Sequence, residues 1–290
     1  MTPNADAPMR DKVCVVTGAT SGIGLVTARV LAQQGATVGL VGRDPGRGAA
    51  AVEYLRQTAG KTSVHLFLAD LSSQAAVHRL AEEIQAQYAR LDVLVNNAGA
   101  LFTRRQLSAD GIEMTWALNH LAYMLLTQRL LDMLQASAPA RIVNVASDAH
   151  RPGRIDFADL QGTQRYSGWR AYCQSKLANV MFTYTLAARL QGSQVTANVL
   201  HPGFVATRFA HNNRGVFAWL LRLAQVAALN PEQGAETMVY LATAPEVAEV
   251  SGHYFVKKRA VRSSEVSYDT VAAERLWRRS AEMLGLAREG

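Results

Sequence analysis

Two rhythms of apolar residues alternate along the first half of the chain. Short unbroken runs rich in Val, Ile and Leu read as strands over residues 12–17, 37–41, 63–68, 91–96 and 141–146. Between them, stretches with an apolar residue every third or fourth position read as helices over 23–34, 46–60, 74–89 and, as one or two elements, 110–136. The strand runs do not alternate polar with apolar, which is how strands covered on both faces read. This regular succession predicts an α/β fold with a doubly wound parallel β-sheet and helices on both faces. After an irregular polar interval over 148–170, the pattern resumes with a helix over 171–190, a strand over 195–200, a helix over 231–244, a strand over 252–256 and a terminal helix over 270–284. No repeat or low-complexity linker divides the chain, so residues 10–290 are expected to form one domain behind a flexible lead-in of residues 1–9.

Composition adds bounds. A chain of 290 residues with 49% hydrophobic and 18% charged residues can bury a sizeable core without staples. Its two cysteines, Cys14 and Cys173, sit in separate apolar segments, so neither a disulfide framework nor a metal site is expected and a reducing, cytoplasmic compartment fits best. The polar N-terminus carries no apolar run behind a basic start, so no signal peptide or anchor is expected. The formal charge of +7 is dispersed. Its densest cluster, Lys257-Lys258-Arg259 with Arg262, is followed by enough acids that residues 257–290 net only +3. No nucleic-acid partner is expected; attraction for phosphorylated small molecules is the use that fits.

Chemistry enters between the first strand and first helix, in Thr17-Gly18-Ala19-Thr20-Ser21-Gly22-Ile23-Gly24. Glycines at this spacing let the backbone turn tightly and approach a pyrophosphate, which then lies on the free N–H groups and positive end of the helix. Placed between an apolar strand and an amphipathic helix, the loop reads as dinucleotide-binding and the fold as Rossmann-type. Where an NAD site usually places an acid, the second strand ends in Gly42-Arg43. A guanidinium can hold a 2′-phosphate bidentately, so NADP(H) is expected over NAD(H). Asp44 keeps the NAD alternative open, as does a reading of Arg43 as a solvated turn residue. In the 171–190 helix, Tyr172 and Lys176 are four apart and share a face. A nearby ammonium lowers a phenol's pKa, which makes Tyr172 a candidate acid/base; the plainer reading is a packed ring beside a solvated lysine.

Seven pieces in order then resemble the short-chain dehydrogenase/reductase family: the Gly18-Gly22-Gly24 loop, Asp70, Asn96-Asn97-Ala98-Gly99, Asn119, Ser147, Tyr172 with Lys176, and Pro202-Gly203. The runs 141–147, 171–179 and His201-Pro202-Gly203 are similar to its retinol-dehydrogenase-like branch. The resemblance implies that Tyr172 exchanges a proton with a carbonyl or alcohol oxygen and that Lys176 lowers its pKa and holds the nicotinamide ribose. It implies that Ser147 bonds the substrate oxygen and that Asn119 helps hold a water on the proton path from Lys176. It also implies cofactor contacts from Gly18, Thr20, Ser21, Gly22, Ile23, Gly24, Arg43, Asp70, Leu71, Asn97, Ala98, Gly99, Tyr172, Lys176, Pro202, Gly203, Val205 and Thr207. Two departures stand out: Ala146 precedes Ser147 where many relatives carry a second serine, and Tyr172 follows Ser147 by 25 positions, a long interval that resembles the narrower branch.

The remaining candidates have plainer readings. Asp70 alternatively caps the next helix; His120, His150 and His201 read as structural; Cys173 reads as a small helix residue. Residues 148–170, with Arg151, Arg154, Arg165 and Arg170, are expected to form a flap beside the substrate. Residues 204–230 are expected to form a lid, with contact of 216–229 to a membrane surface as the second reading. Leu101, Phe102, Phe204, Phe209, Phe217 and Trp219 suit a lipophilic carbonyl or alcohol substrate. No transmembrane segment is expected, since 216–229 is too short. The resemblance also implies a homodimer or homotetramer through the helices bearing Asn119 and Tyr172. Two other functions fit the same residues: reduction of an activated C=C bond, and NADP sensing without turnover.

Overall fold

The computed structural model describes residues 7–60, 63–203 and 230–286. The expected lid, with Val205 and Thr207, lies outside them, as does most of the lead-in. Eight strands form one sheet: β1 (Val13–Thr17), β2 (Thr37–Gly42), β3 (Val64–Leu68), β4 (Val93–Asn96), β5 (Ala140–Val145), β6 (Val195–His201), β7 (Tyr254–Val256) and β8 (Arg259–Val261). Their order is β3-β2-β1-β4-β5-β6-β7-β8, parallel from β3 to β7. The chain winds outward from β1 to β3, crosses back beside β1 with β4, and winds outward on the other side. The reversal between β1 and β4 leaves a crevice at the carboxyl ends of these two strands.

Successive residues of each strand feed different cores, which is why the strand runs are apolar throughout. Val13 and Val15 of β1 join Leu94, Ile142 and Val195 under helices α3 (Gln74–Gln87), α5 (Ala122–Ala136), α6 (Gly168–Arg189) and α8 (Thr270–Met283). Cys14 and Val16 join Leu40, Val95, Val143 and Leu200 under α1 (Gly22–Gln33), α2 (Pro45–Ala59) and α7 (Pro231–Thr243). At the amino ends of β1 and β4, buried Asp92 accepts bonds from Lys12, Arg90 and the Val13 N–H. Burial opposes its ionisation, yet these donors outweigh that and its pKa is lowered.

Two regions depart from expectation. The stretch expected as helix from 110 begins only at α4 (Met114–Trp116), passes through a π turn at Ala117–Leu121 and continues as α5. The sheet also gains β8, antiparallel to β7 through a two-residue turn in which Lys257 and Lys258 both have positive φ (49° and 63°). The basic cluster is therefore a hairpin turn, with Lys258 Nζ 2.9 Å from Glu236.

Candidate active site

A cleft of about 760 Å³ runs across the carboxyl ends of β1 to β6. Its lining takes in most of the sequence-predicted residues: Gly18, Thr20 to Gly24, Arg43, Asp70, Leu71, Asn97 to Gly99, Ser147, Tyr172, Lys176, Pro202 and Gly203. Asn119 is buried behind the cleft instead.

At one end the backbone does the work. Gly18 and Gly22 adopt positive φ (65° and 57°), and a side chain on Gly24 would meet the Gly18 carbonyl at 2.4 Å, so the loop closes under α1 only with glycine there. Asn97 secures it from below, with Nδ2 donating to the Thr17 carbonyl at 2.8 Å and its N–H to Thr17 Oγ1 at 2.8 Å. Helices α2, α3, α6, α7 and α8 are each capped by their own Asp, Ser or Asn side chain. Helix α1 has no side-chain cap and no acid in its first turn, so its positive end faces the cleft. Asp70 does not cap α3, a role taken by Ser73; its Oδ1 accepts from Ser72 N–H and Oγ.

Beyond β2, Arg43 is joined in the lining by Arg47, which sequence reasoning missed. Asp44 is absent from that lining: it caps α2 through the Arg47 N–H at 2.8 Å, and that bond, the largest influence, keeps its carboxyl below the usual range. A signal for Arg47 existed in its place in the first turn of a helix starting beside Arg43.

The other end is made of side chains. Lys176 is 3% exposed and donates to the Val145 carbonyl at 3.0 Å, its one protein acceptor among the described residues. Its Nζ lies 5.7 Å from the Tyr172 ring centre and 5.8 Å from that of Tyr123. Burial pushes Lys176 down to about 7. Tyr172 is shifted up by burial, against which a bond from the Ser147 hydroxyl works. The lowering by Lys176 that the resemblance implies is not among the influences on Tyr172 in this structure. Burial is the largest influence on the phenol, and no lowering by Lys176 offsets it. Ser147 Oγ accepts the Ala149 N–H at 3.2 Å.

Asn119 makes no bond to Lys176. Its side chain pairs with both backbone groups of Ala100 (2.9 Å each) and with Ser175 Oγ (3.1 Å), tying the loop after β4 to α6. His120 is buried between Asn179 and Ser280 and burial pushes it down to about 4. Burial raises Cys173 to about 11, a thiol rather than a nucleophile. From the expected flap, Asp148, Ala149 and Trp169 line the cleft and its four arginines do not. Leu101, Phe102, Met114 and Leu118 add apolar lining, and His201, also in the lining, lies 3.3 Å from Asp148.

These residues fit a nicotinamide dinucleotide. An uncapped helix end and two guanidiniums suit phosphates, and a buried ammonium with donors to spare suits ribose hydroxyls. Residues 12–215 match the short chain dehydrogenase family. The chain is 40% identical to mouse retinol dehydrogenase 11 over 98% of its own length and 89% of that protein's. It is 41% identical to human retinol dehydrogenase 12 (95% and 87% covered). Among solved structures, an uncharacterized protein from Mycobacterium paratuberculosis superposes with a TM-score of 0.78 at 34% identity, covering 96% of this chain and 94% of that one. The Pseudomonas aeruginosa RhlG/NADP active-site complex does so with 0.69 at 28% identity (87% and 97% covered). The glycine loop, the Ser147, Tyr172 and Lys176 cluster and these likenesses lead to one conclusion: the chain belongs to the short-chain dehydrogenase family, oxidoreductases acting on CH–OH groups with a nicotinamide cofactor, and is retinol-dehydrogenase-like within it.

Proposed function

We propose that this protein is an NADP(H)-dependent reductase of lipophilic aldehydes or ketones, with Tyr172 as the acid. The observation that carries the reading is one cleft holding Arg43 and Arg47 at one end and Ser147, Tyr172 and Lys176 at the other. The two guanidiniums would hold the 2′-phosphate; of the nearby acids, Asp44 caps α2 and pairs with Arg47 at 3.6 Å, and Asp70 in the lining accepts two bonds from Ser72. When bound, the cofactor supplies the hydride.

Negative charge then develops on the substrate oxygen, and this chain's residues stabilise it. Ser147 Oγ accepts the Ala149 N–H, and its one hydroxyl hydrogen, engaged with Tyr172 in the free chain, turns to the substrate oxygen. Tyr172, kept protonated by burial, gives its proton to the oxygen. A phenol held in its acid form suits reduction; oxidation of the alcohol needs the phenolate and should speed up as pH rises. Lys176 would hold the cofactor ribose, and Asn119 positions the loop after β4 through Ala100. Leu101, Phe102, Met114, Leu118 and Trp169 exclude water and receive a lipophilic chain such as a retinoid.

NADPH consumption with all-trans-retinal, octanal and a cyclic enone tests this, with NADH in parallel. Turnover of the aldehydes with NADPH preferred is the expected result. Turnover of the enone's C=C bond alone would replace the reading with an ene-reductase, and binding of NADPH without any turnover would replace it with a sensor.

A further inference from the structure

His150 is 0% exposed, three residues after Ser147 at the end of the short turn Asp148–His150, and lies outside the cleft lining. Its ring nitrogen Nδ1 lies 2.7 Å from the Ser147 carbonyl, which can only accept, so Nδ1 carries the hydrogen. Nε2 is then an acceptor, and the Ser264 N–H donates to it at 3.0 Å. The neutral Nδ1–H form is thus specified from both sides. The same Ser147 carbonyl also accepts the His150 N–H at 3.0 Å, while Ser147 Oγ accepts the Ala149 N–H.

These bonds bridge residues 114 positions apart. The segment on the far side is itself anchored. Arg151 Nη2 donates to the Arg262 carbonyl at 3.2 Å, Ser263 Oγ bonds Tyr184 of α6 at 2.7 Å, and the Tyr268 ring stacks on Tyr184 with centres 5.4 Å apart. The His150 ring packs 4.8 Å from the Tyr254 ring of β7, whose hydroxyl donates to Asp148 at 3.0 Å. The residue after Ser147 and the carbonyl of Ser147 are therefore both held from the β7–β8 side of the sheet.

We propose that His150 is a positioning residue for Ser147: its Nδ1–H and Nε2 together brace the Ser147 peptide against the Ser264 backbone, and this brace aims the Ser147 hydroxyl at the substrate oxygen. The inference rests on Ser147 acting as proposed above. The physical reason is that a hydroxyl on a free strand end rotates and shifts with its peptide, whereas one whose carbonyl and Oγ are both engaged has its oxygen fixed in place and fewer donor directions open. Displacements of about 1 Å at a reacting group cost on the order of 10²-fold in rate.

Two substitutions separate the two halves of the brace. His150→Asn keeps an amide donor where Nδ1–H stands, and His150→Gln places an acceptor where Nε2 stands but loses the donor to Ser147. Steady-state kinetics with NADPH and all-trans-retinal should show kcat lowered about 10-fold or more in His150→Gln, with the Kd for NADPH unchanged, and recovered in large part by His150→Asn. Both variants lose one bond, so similar thermal melting of the two with a tenfold gap in kcat supports positioning. Equal kcat in the two variants, or loss of kcat in step with melting temperature, overturns it. Ser147→Ala serves as the control: full activity there removes the proposed role of Ser147, whereas an inactive Ser147→Ala beside a fully active His150→Gln removes the brace alone.

Discussion

At the Arg43 end of the cleft, the ligand-facing groups are loop backbone, a helix terminus and cations at or near the surface; at the Ser147 end they are side chains, with Tyr172 and Lys176 buried and Ser147 braced from residues 262–264. The first end is assembled from segments close to the carboxyl ends of β1 and β2. The second draws on β5, α6, the loop after β4 and the chain beyond β8. A backbone-built site tolerates side-chain change except where a side chain cannot exist, because hydrogen-bond donors belong to every residue. A site of buried side chains depends on each group and on what holds it, so its errors propagate from far away.

Gly24→Val should break the first end most severely. The added side chain would enter the Gly18 carbonyl and Asn97, so NADPH binding should be lost and folding stability reduced by about 1–3 kcal/mol in chemical denaturation. Unchanged binding would mean that the loop does not carry the phosphates. Next in size, Arg43→Asp should weaken NADPH binding about 10- to 100-fold in fluorescence titration while sparing NADH, as expected for loss of a charge-assisted bond. An equal effect on both cofactors would show that Arg43 does not read the 2′-phosphate.

The smallest effect probes the buried end without substrate. The folded chain resists charging Lys176, whose pKa is pushed to about 7, and the unfolded chain does not. Between about pH 7 and 9 the unfolded chain thus binds the extra proton, and stability should rise with pH, by up to ~1.4 kcal/mol per unit for this one group. Above that window the buried thiol of Cys14 and the buried tyrosines oppose the trend. Thermal melting of the cofactor-free protein should show the rise, and Lys176→Met should flatten it. A slope that survives the substitution would place its origin elsewhere.

The same division explains what was legible in the sequence. The parallel core reads directly, because strands feeding two cores leave continuous apolar runs and the glycine loop leaves a spacing. Strand β8 does not: Arg259, Ala260 and Val261 are exposed, and the turn before them uses two lysines where Asn-Gly would have announced a hairpin. Lys176 and Tyr172 read correctly as neighbours, whereas the burial that raises the tyrosine is a property of the packed fold and leaves no local pattern. His150 was read as structural, and a bond to Ser264 is invisible to any local pattern. Asn119 stands in a π turn, a backbone event without a sequence signature here, and its partners prove to be Ala100 and Ser175.

The separation of binding from chemistry is tested most directly by Tyr172→Phe, measured for NADPH affinity by fluorescence and for reduction of all-trans-retinal by NADPH consumption. The account predicts that reduction falls by about 10²- to 10⁴-fold while the Kd for NADPH changes little. Substantial residual turnover, or loss of turnover only in proportion to lost NADPH binding, would contradict it.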